Sequence, residues 1–92
     1  MKLKVVISES AKKEFLHLMP EIQKRLKKAF DELSDNPYEN RSDADIKKLR
    51  GAYKPPFYRI RIGDYRIIYA VVENEIRITS IIHRKKGYKW LE

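Results

Sequence analysis

The amino-acid sequence predicts one α+β domain spanning residues 1–92, in the order β-α-α-β-β-β. Three observations support this fold class. Apolar residues recur at helical spacing through residues 11–33, apolar and charged residues alternate through residues 58–69, and 92 residues suffice for only one domain. We therefore expect two N-terminal antiparallel helices packed on one face of an antiparallel sheet.

Residues 2–7 are rich in Val and Ile and predict a first strand, after which two helices follow. Ser8 or Ser10 can cap the first helix, and Pro20 suits the first turn of the second. The residues on the predicted apolar faces are Ala11, Phe15 and Leu18 in the first helix, and Ile22, Leu26, Ala29, Phe30 and Leu33 in the second. The Asp35-Asn36-Pro37 segment predicts where the second helix ends.

The second half of the chain predicts a meander of three strands, at residues 58–62, 65–72 and 76–82. A tight turn at Gly63-Asp64 joins the first two strands. Ile46 and Leu49 anchor a short segment before the meander, and the intervening Pro55-Pro56 forces an extended backbone.

Three arginines are predicted to share one face of this hairpin. A two-residue loop opposes Arg61 to Arg66 and Arg59 to Ile68. Like charges placed opposite each other destabilise a sheet, so an anionic ligand explains the arrangement better than stability does. A solvated strand face is the alternative. We expect the helices to cover the other face and the arginine face to be open to a ligand.

The net charge of +8 lies in one half of the chain. Residues 1–46 hold nine Lys or Arg and nine Asp or Glu, whereas residues 47–92 hold twelve and four. This asymmetry favours a polyanion as partner, RNA or DNA first, although a Lys- and Arg-rich surface also improves solubility. The candidate RNA-binding residues are Lys47, Lys48, Arg50, Lys54, Lys85 and Lys86.

The residues that several other classes of functional site require are absent from the sequence. Cys is absent, and His17 and His83 are far apart in the sequence, so we expect no metal site. The sequence has no glycine-rich phosphate loop and no serine in a nucleophile elbow, and we expect no cofactor. With no apolar run long enough for a membrane span or signal peptide, a cytoplasmic protein is expected.

Basic side chains and tyrosines remain as candidates for a catalytic role. Arg84, Lys85, Lys86 and Tyr88 follow the last strand and are expected near the Gly63-Asp64 turn. With the strand arginines they could hold a phosphodiester and stabilise the charge of a phosphorane-like transition state. RNA brings its own nucleophile, the 2′-hydroxyl, and surrounding cations would favour the phenolate of Tyr88 as a proton-transfer group.

The chain resembles the RelE/ParE superfamily, the toxins of type II toxin–antitoxin systems. The resemblance covers nearly the whole chain, including the element order and the Lys47-Lys-Leu-Arg-Gly51 approach. Its most specific segments are Tyr58-Arg-Ile-Arg-Ile-Gly-Asp-Tyr-Arg-Ile-Ile-Tyr69 and His83-Arg-Lys-Lys-Gly-Tyr88. In the RelE branch it implies a ribosome-dependent endoribonuclease that cuts mRNA and leaves a 2′,3′-cyclic phosphate.

Carried over residue by residue, the resemblance implies a catalytic set of Arg59, Arg61, Arg66, Arg84 and Tyr88. Arg59 and Arg61 stand where that branch often has lysines. Because a guanidinium does not lose its proton, neither arginine can serve as general base, and that role passes to Tyr88.

Two alternatives to the nuclease stay open: a ParE-like gyrase inhibitor, and a non-catalytic RNA- or ribosome-binding module. The RelE reading implies the ribosome and mRNA as partners. It also implies a RelB-like antitoxin, acidic and with an amphipathic helix, that forms a hetero-oligomer with the toxin. The N-terminal helices and the sheet edge are its expected docking surfaces.

Overall fold

The computed structural model describes residues 2–38, 45–49 and 55–86. Two helices and five strands follow one another along the chain. Their bounds are β1 Lys4–Ile7, α1 Glu9–Leu16, α2 Pro20–Asp35, β2 Asp45–Lys48, β3 Phe57–Ile62, β4 Tyr65–Val72 and β5 Glu75–His83, and a 3₁₀ turn at Arg84–Lys86 follows β5. The predicted α+β class and the helix-rich N-terminal half are confirmed.

The five strands form one sheet in the order β1-β5-β4-β3-β2. The pairs β2–β3, β3–β4 and β4–β5 are antiparallel, whereas β1 runs parallel to β5. The prediction of a wholly antiparallel sheet was therefore wrong for β1. A parallel pair needs a long connection between its strands, and here the helices and three strands intervene.

The short segment before the meander is a strand, β2, that sequence reasoning did not assign. Ile46 is buried while Asp45 and Lys47 are exposed, which is the alternation of a strand with one face on the core. Three of its four residues are charged, so it has little intrinsic strand propensity. Charged residues suit an edge strand because they discourage pairing with other chains.

The helices begin where their signals predict, but α1 ends at Leu16, so the expectation that Leu18 belongs to this helix was wrong. Ser8 is the N-cap of α1, and its hydroxyl accepts a hydrogen bond from the backbone N–H of Ala11. Pro20 opens α2, where its missing N–H costs nothing, and α2 ends at Asp35. Two hydrogen bonds tie Leu3, the residue before β1, to α2: the Leu3 N–H donates to the Ser34 carbonyl at 2.9 Å, and the buried Ser34 donates from Oγ to the Leu3 carbonyl at 2.6 Å.

The hydrophobic core lies between the helices and one face of the sheet. Its largest fully buried members are Leu26 and Leu33 of α2 and Ile60, Ile67, Tyr69, Ile76 and Ile78 of the sheet. Full burial of one such side chain contributes about 1.5–3 kcal/mol. Because the side chains of a strand alternate, burial of Ile60 on the helix side places Arg59 and Arg61 on the opposite face.

The Gly63-Asp64 turn closes the β3–β4 hairpin as predicted. Gly63 has a φ of +58°, a left-handed conformation that L-residues with a Cβ rarely adopt. The guanidinium of Arg25 in α2 packs over it, so a Cβ at Gly63 would lie 3.2 Å from Arg25 Nη1. Among the described residues, no helix is both long and apolar enough to cross a membrane.

Candidate active site

The candidate site is built on a row of three residues across neighbouring strands. Asp45 of β2 pairs with Arg61 of β3, which pairs with Arg66 of β4. Adjacent strands lie about 4.8 Å apart, so the row spans about 10 Å on one face of the sheet. The predicted opposition of Arg61 to Arg66, and of Arg59 to Ile68, is confirmed.

The arginine face is less open than expected. Arg59 and Arg66 are only 5% and 9% exposed, and Ile68 and Ala70 on the same face are also buried. The side chain of Arg61, by contrast, is 46% exposed. Of the three strand arginines, only Arg61 is exposed as predicted, whereas Arg59 and Arg66 are buried together with Ile68 and Ala70.

Asp45 is the anion of this cluster. Its Oδ2 lies 3.2 Å from Arg59 Nη1 and 4.0 Å from Arg61 Nη1. Arg59 Nη1 also donates to the Asp45 backbone carbonyl at 3.1 Å. One carboxylate therefore contacts two guanidinium groups and offsets part of the repulsion between the arginines.

Arg84 lies against the Gly63-Asp64 turn at the end of the hairpin. Its backbone N–H donates to the Asp64 carbonyl at 2.8 Å, and its Nε lies 3.6 Å from Asp64 Oδ1. These contacts hold the start of the 3₁₀ turn against the hairpin turn, as expected. The Arg84 and Asp64 side chains are 62% and 58% exposed, so the ion pair itself contributes little to stability.

The candidate RNA-binding lysines do not all lie on the arginine face. Lys47 pairs with Arg59 and shares its face, whereas Lys48 pairs with Tyr58, whose ring packs toward the core. Lys85 is exposed, and its backbone N–H donates to His83 Nδ1 at 3.1 Å. The positions of Arg50, Lys54 and Tyr88 lie outside the described residues, as does the side chain of Lys86, so their roles stay predictions.

Sequence reasoning missed Asp45, which lies two residues before the basic run that begins at Lys47. The signal was the alternation of charged and apolar residues around the buried Ile46, which marks an edge strand next to β3. His83 ends β5 as expected and packs edge-on against the Tyr65 ring, with the ring centroids 5.0 Å apart. Across the described parts of the chain, no three His, Cys, Asp or Glu side chains are grouped so as to hold a metal ion.

Comparisons with known proteins agree on one family. Residues 5–88 match the family model for the ParE toxin of type II toxin–antitoxin systems, parDE. The toxin RelE3 of Methanocaldococcus jannaschii is 33% identical over 88 residues, which cover 96% of this chain and 98% of that protein.

Solved structures show the same fold. A chain of the archaeal RelE–RelB complex from Pyrococcus horikoshii superposes with a TM-score of 0.79 at 30% identity, over 95% of this chain and all of that one. A chain of the RelB–RelE antitoxin–toxin complex from Methanococcus jannaschii gives a TM-score of 0.71, also at 30% identity, over 95% and 99% of the two chains. This chain therefore belongs to the RelE/ParE superfamily of type II toxin–antitoxin toxins.

Proposed function

We propose that this protein is a toxin that cleaves mRNA on the ribosome by attack of the RNA's own 2′-hydroxyl. The observation that carries the proposal is the opposition of Arg61 to Arg66 across the hairpin, with Arg84 at its end. Directly opposed like charges cost stability that Asp45 offsets only in part, and they provide several charge-assisted donors when a phosphodiester binds.

The chemistry needs positioning, charge stabilisation and proton transfer. Arg61 is exposed enough to contact a phosphate directly, and Arg66 beside it is buried, where its charge is screened less by water. Both cations would stabilise the extra negative charge that develops on the phosphate oxygens as the 2′-oxygen attacks. The products would be a 2′,3′-cyclic phosphate and a free 5′-hydroxyl.

The test is translation of a defined mRNA with the purified protein, with the new 5′ ends mapped by primer extension. Cuts within codons only when ribosomes are present support the proposal. A single 2′-deoxy nucleotide placed at the mapped site should abolish that cut, because the nucleophile is gone. Cleavage that survives the 2′-deoxy substitution would contradict 2′-hydroxyl attack.

Gyrase inhibition is the second candidate, and the match to a model described as a ParE toxin favours it. The two functions separate in one experiment with supercoiled DNA and gyrase. Gyrase-dependent DNA breaks without ribosome-dependent mRNA cuts would support the ParE reading. Absence of both activities would leave a module that binds RNA or ribosomes without cutting.

The partner we propose is an acidic RelB-like antitoxin. An apolar groove of about 270 Å³ lies between β1 and the two helices. It is lined by Val5, Ile7, Phe15, Leu16 and Phe30, with Lys12 and Lys27 at its rim. Leu16 is 64% exposed, so the apolar face of an amphipathic helix could bury it while acidic residues meet the lysines.

A further inference from the structure

Attack by a 2′-hydroxyl requires a group that takes its proton, and the arginines of the site cannot. The described ionisable residues on the site face of β2, β3 and β4 are Asp45, Lys47, Arg59, Arg61 and Arg66. Asp45 is the one carboxylate in this set, and a carboxylate can accept a proton where an ammonium or guanidinium group cannot.

Asp45 also has the right position. It lies in the same row as Arg61 and Arg66, at the outer end, with Arg61 between the carboxylate and Arg66. The exposed Arg61 Nη1 lies 4.0 Å from Asp45 Oδ2, so a phosphodiester bound by Arg61 would lie next to the carboxylate. The Asp45 side chain is 51% exposed, so a ribose hydroxyl can approach it.

The carboxylate is held by a buried neighbour. Arg59, 5% exposed, contacts Asp45 through both the side-chain Oδ2 at 3.2 Å and the backbone carbonyl at 3.1 Å. Two contacts from one guanidinium nitrogen fix the carboxylate relative to its strand. Such fixed orientation is what a general base needs, because proton transfer depends on geometry before basicity. Arg59 is therefore a positioning residue in this scheme.

We propose that Asp45 is the general base of the cleavage reaction, an inference that rests on the proposed nuclease function. The Asp45 carboxylate takes the proton of the 2′-hydroxyl while the 2′-oxygen forms its bond to phosphorus. The bond from phosphorus to the 5′-oxygen breaks, and that oxygen takes a proton from solvent. Asp45 then returns its proton to solvent, so the enzyme is unchanged at the end of the cycle.

The primary test is Asp45→Asn, which keeps the size of the side chain and removes the proton acceptor. In a single-turnover assay at saturating ribosome–mRNA complex, the cleavage rate should fall about 100-fold or more. Affinity for the complex should stay equal or rise, because one negative charge beside the arginines is lost. The matched control is Asp31→Asn on the exposed side of α2, which should leave both quantities unchanged.

The alternative is that Asp45 only supports Arg59. In that case Asp45→Asn would weaken binding and cleavage together, and such a parallel loss would overturn the proposal. A cleavage rate of Asp45→Asn within threefold of the parent would overturn it as well. A second variant, Asp45→Ala, should recover cleavage when formate is added, since a free carboxylate can occupy the vacated space. Failure of formate to restore any activity in the folded, ribosome-binding variant would also overturn it.

Different results would contradict the proposed nuclease function and the assignment of Asp45 as its general base. If the parent protein makes no ribosome-dependent cuts, the nuclease function itself is wrong. If the parent cuts and Asp45→Asn cuts as fast, only the assignment of the base is wrong, and Tyr88 becomes the group to test next.

Discussion

Replacement of Arg61 by Ala should slow cleavage while leaving the stability of the fold nearly unchanged. Arg61 faces Arg66 directly, and like charges in such a pair cost about 0.2–1 kcal/mol. Arg61 also lies 4.0 Å from Asp45 Oδ2, an ion pair between half-exposed groups that contributes about 0.2–1 kcal/mol. The two effects have opposite signs, so the free energy of unfolding should change by less than about 1 kcal/mol.

The effect on activity should be much larger. Loss of one positioned donor to a developing oxyanion typically costs about 10²–10³ in rate. The assay is ribosome-dependent cleavage of a defined mRNA under single-turnover conditions, with urea unfolding measured on the same preparation. Arg61→Ala should therefore cut about 100-fold more slowly and unfold at nearly the parental urea concentration.

Arg77→Ala is the matched control. Arg77 lies on the same sheet face but pairs with Ala70, four residues along β4 from Arg66, or about 13 Å. Its side chain is half exposed and paired with Glu75 at 3.0 Å, much as Arg61 is paired with Asp45. Arg77→Ala should keep the parental cleavage rate. If both variants lose cleavage activity equally, net charge rather than position in the row controls the rate. If Arg61→Ala lowers the free energy of unfolding by more than about 2 kcal/mol, Arg61 has a structural role.

Four further predictions concern other parts of the molecule. Arg84→Ala should lose about 100-fold in cleavage with little change in unfolding free energy, because its ion pair is exposed; unchanged cleavage would remove Arg84 from the site. Gly63→Ala should destabilise the fold by about 1–2 kcal/mol in urea unfolding, and Gly63→Asn by less, because Asn tolerates a positive φ. Tyr69→Phe should cost about 1–3 kcal/mol, since the buried hydroxyl donates to the Pro37 carbonyl at 2.6 Å, whereas the exposed Tyr38→Phe should cost nothing measurable. Leu16→Glu should keep toxicity but weaken rescue of growth by the co-expressed antitoxin, and full rescue would show that the apolar groove is not the docking surface.

The sequence predicted the elements that depend on local patterns. Helical spacing located both helices, Ser8 and Pro20 marked their starts, and the Gly63-Asp64 turn set the register that opposes Arg61 to Arg66. Each of these signals acts over a few residues, through a cap, a fixed backbone angle or a side-chain period. The resemblance carried by residues 58–69 and 83–88 likewise gave the family.

Tertiary structure decided which distant segments meet. The parallel pairing of β1 with β5 joins residues some 70 positions apart, and no local pattern specifies the partner of a four-residue strand. The assignment of β2, the burial of Arg59 and Arg66, and the contact of Asp45 with two arginines all follow from one strand lying beside another.

The sequence by itself therefore determined the α+β class, the starts of both helices, the hairpin turn and the arginines that define a candidate phosphodiester site. Only the tertiary structure showed that Asp45 contacts Arg59 and Arg61 and that two of the three strand arginines are buried. The physical reason is that periodicity and turn chemistry are properties of neighbouring residues, whereas ion pairing and burial depend on groups brought together by strand pairing and packing.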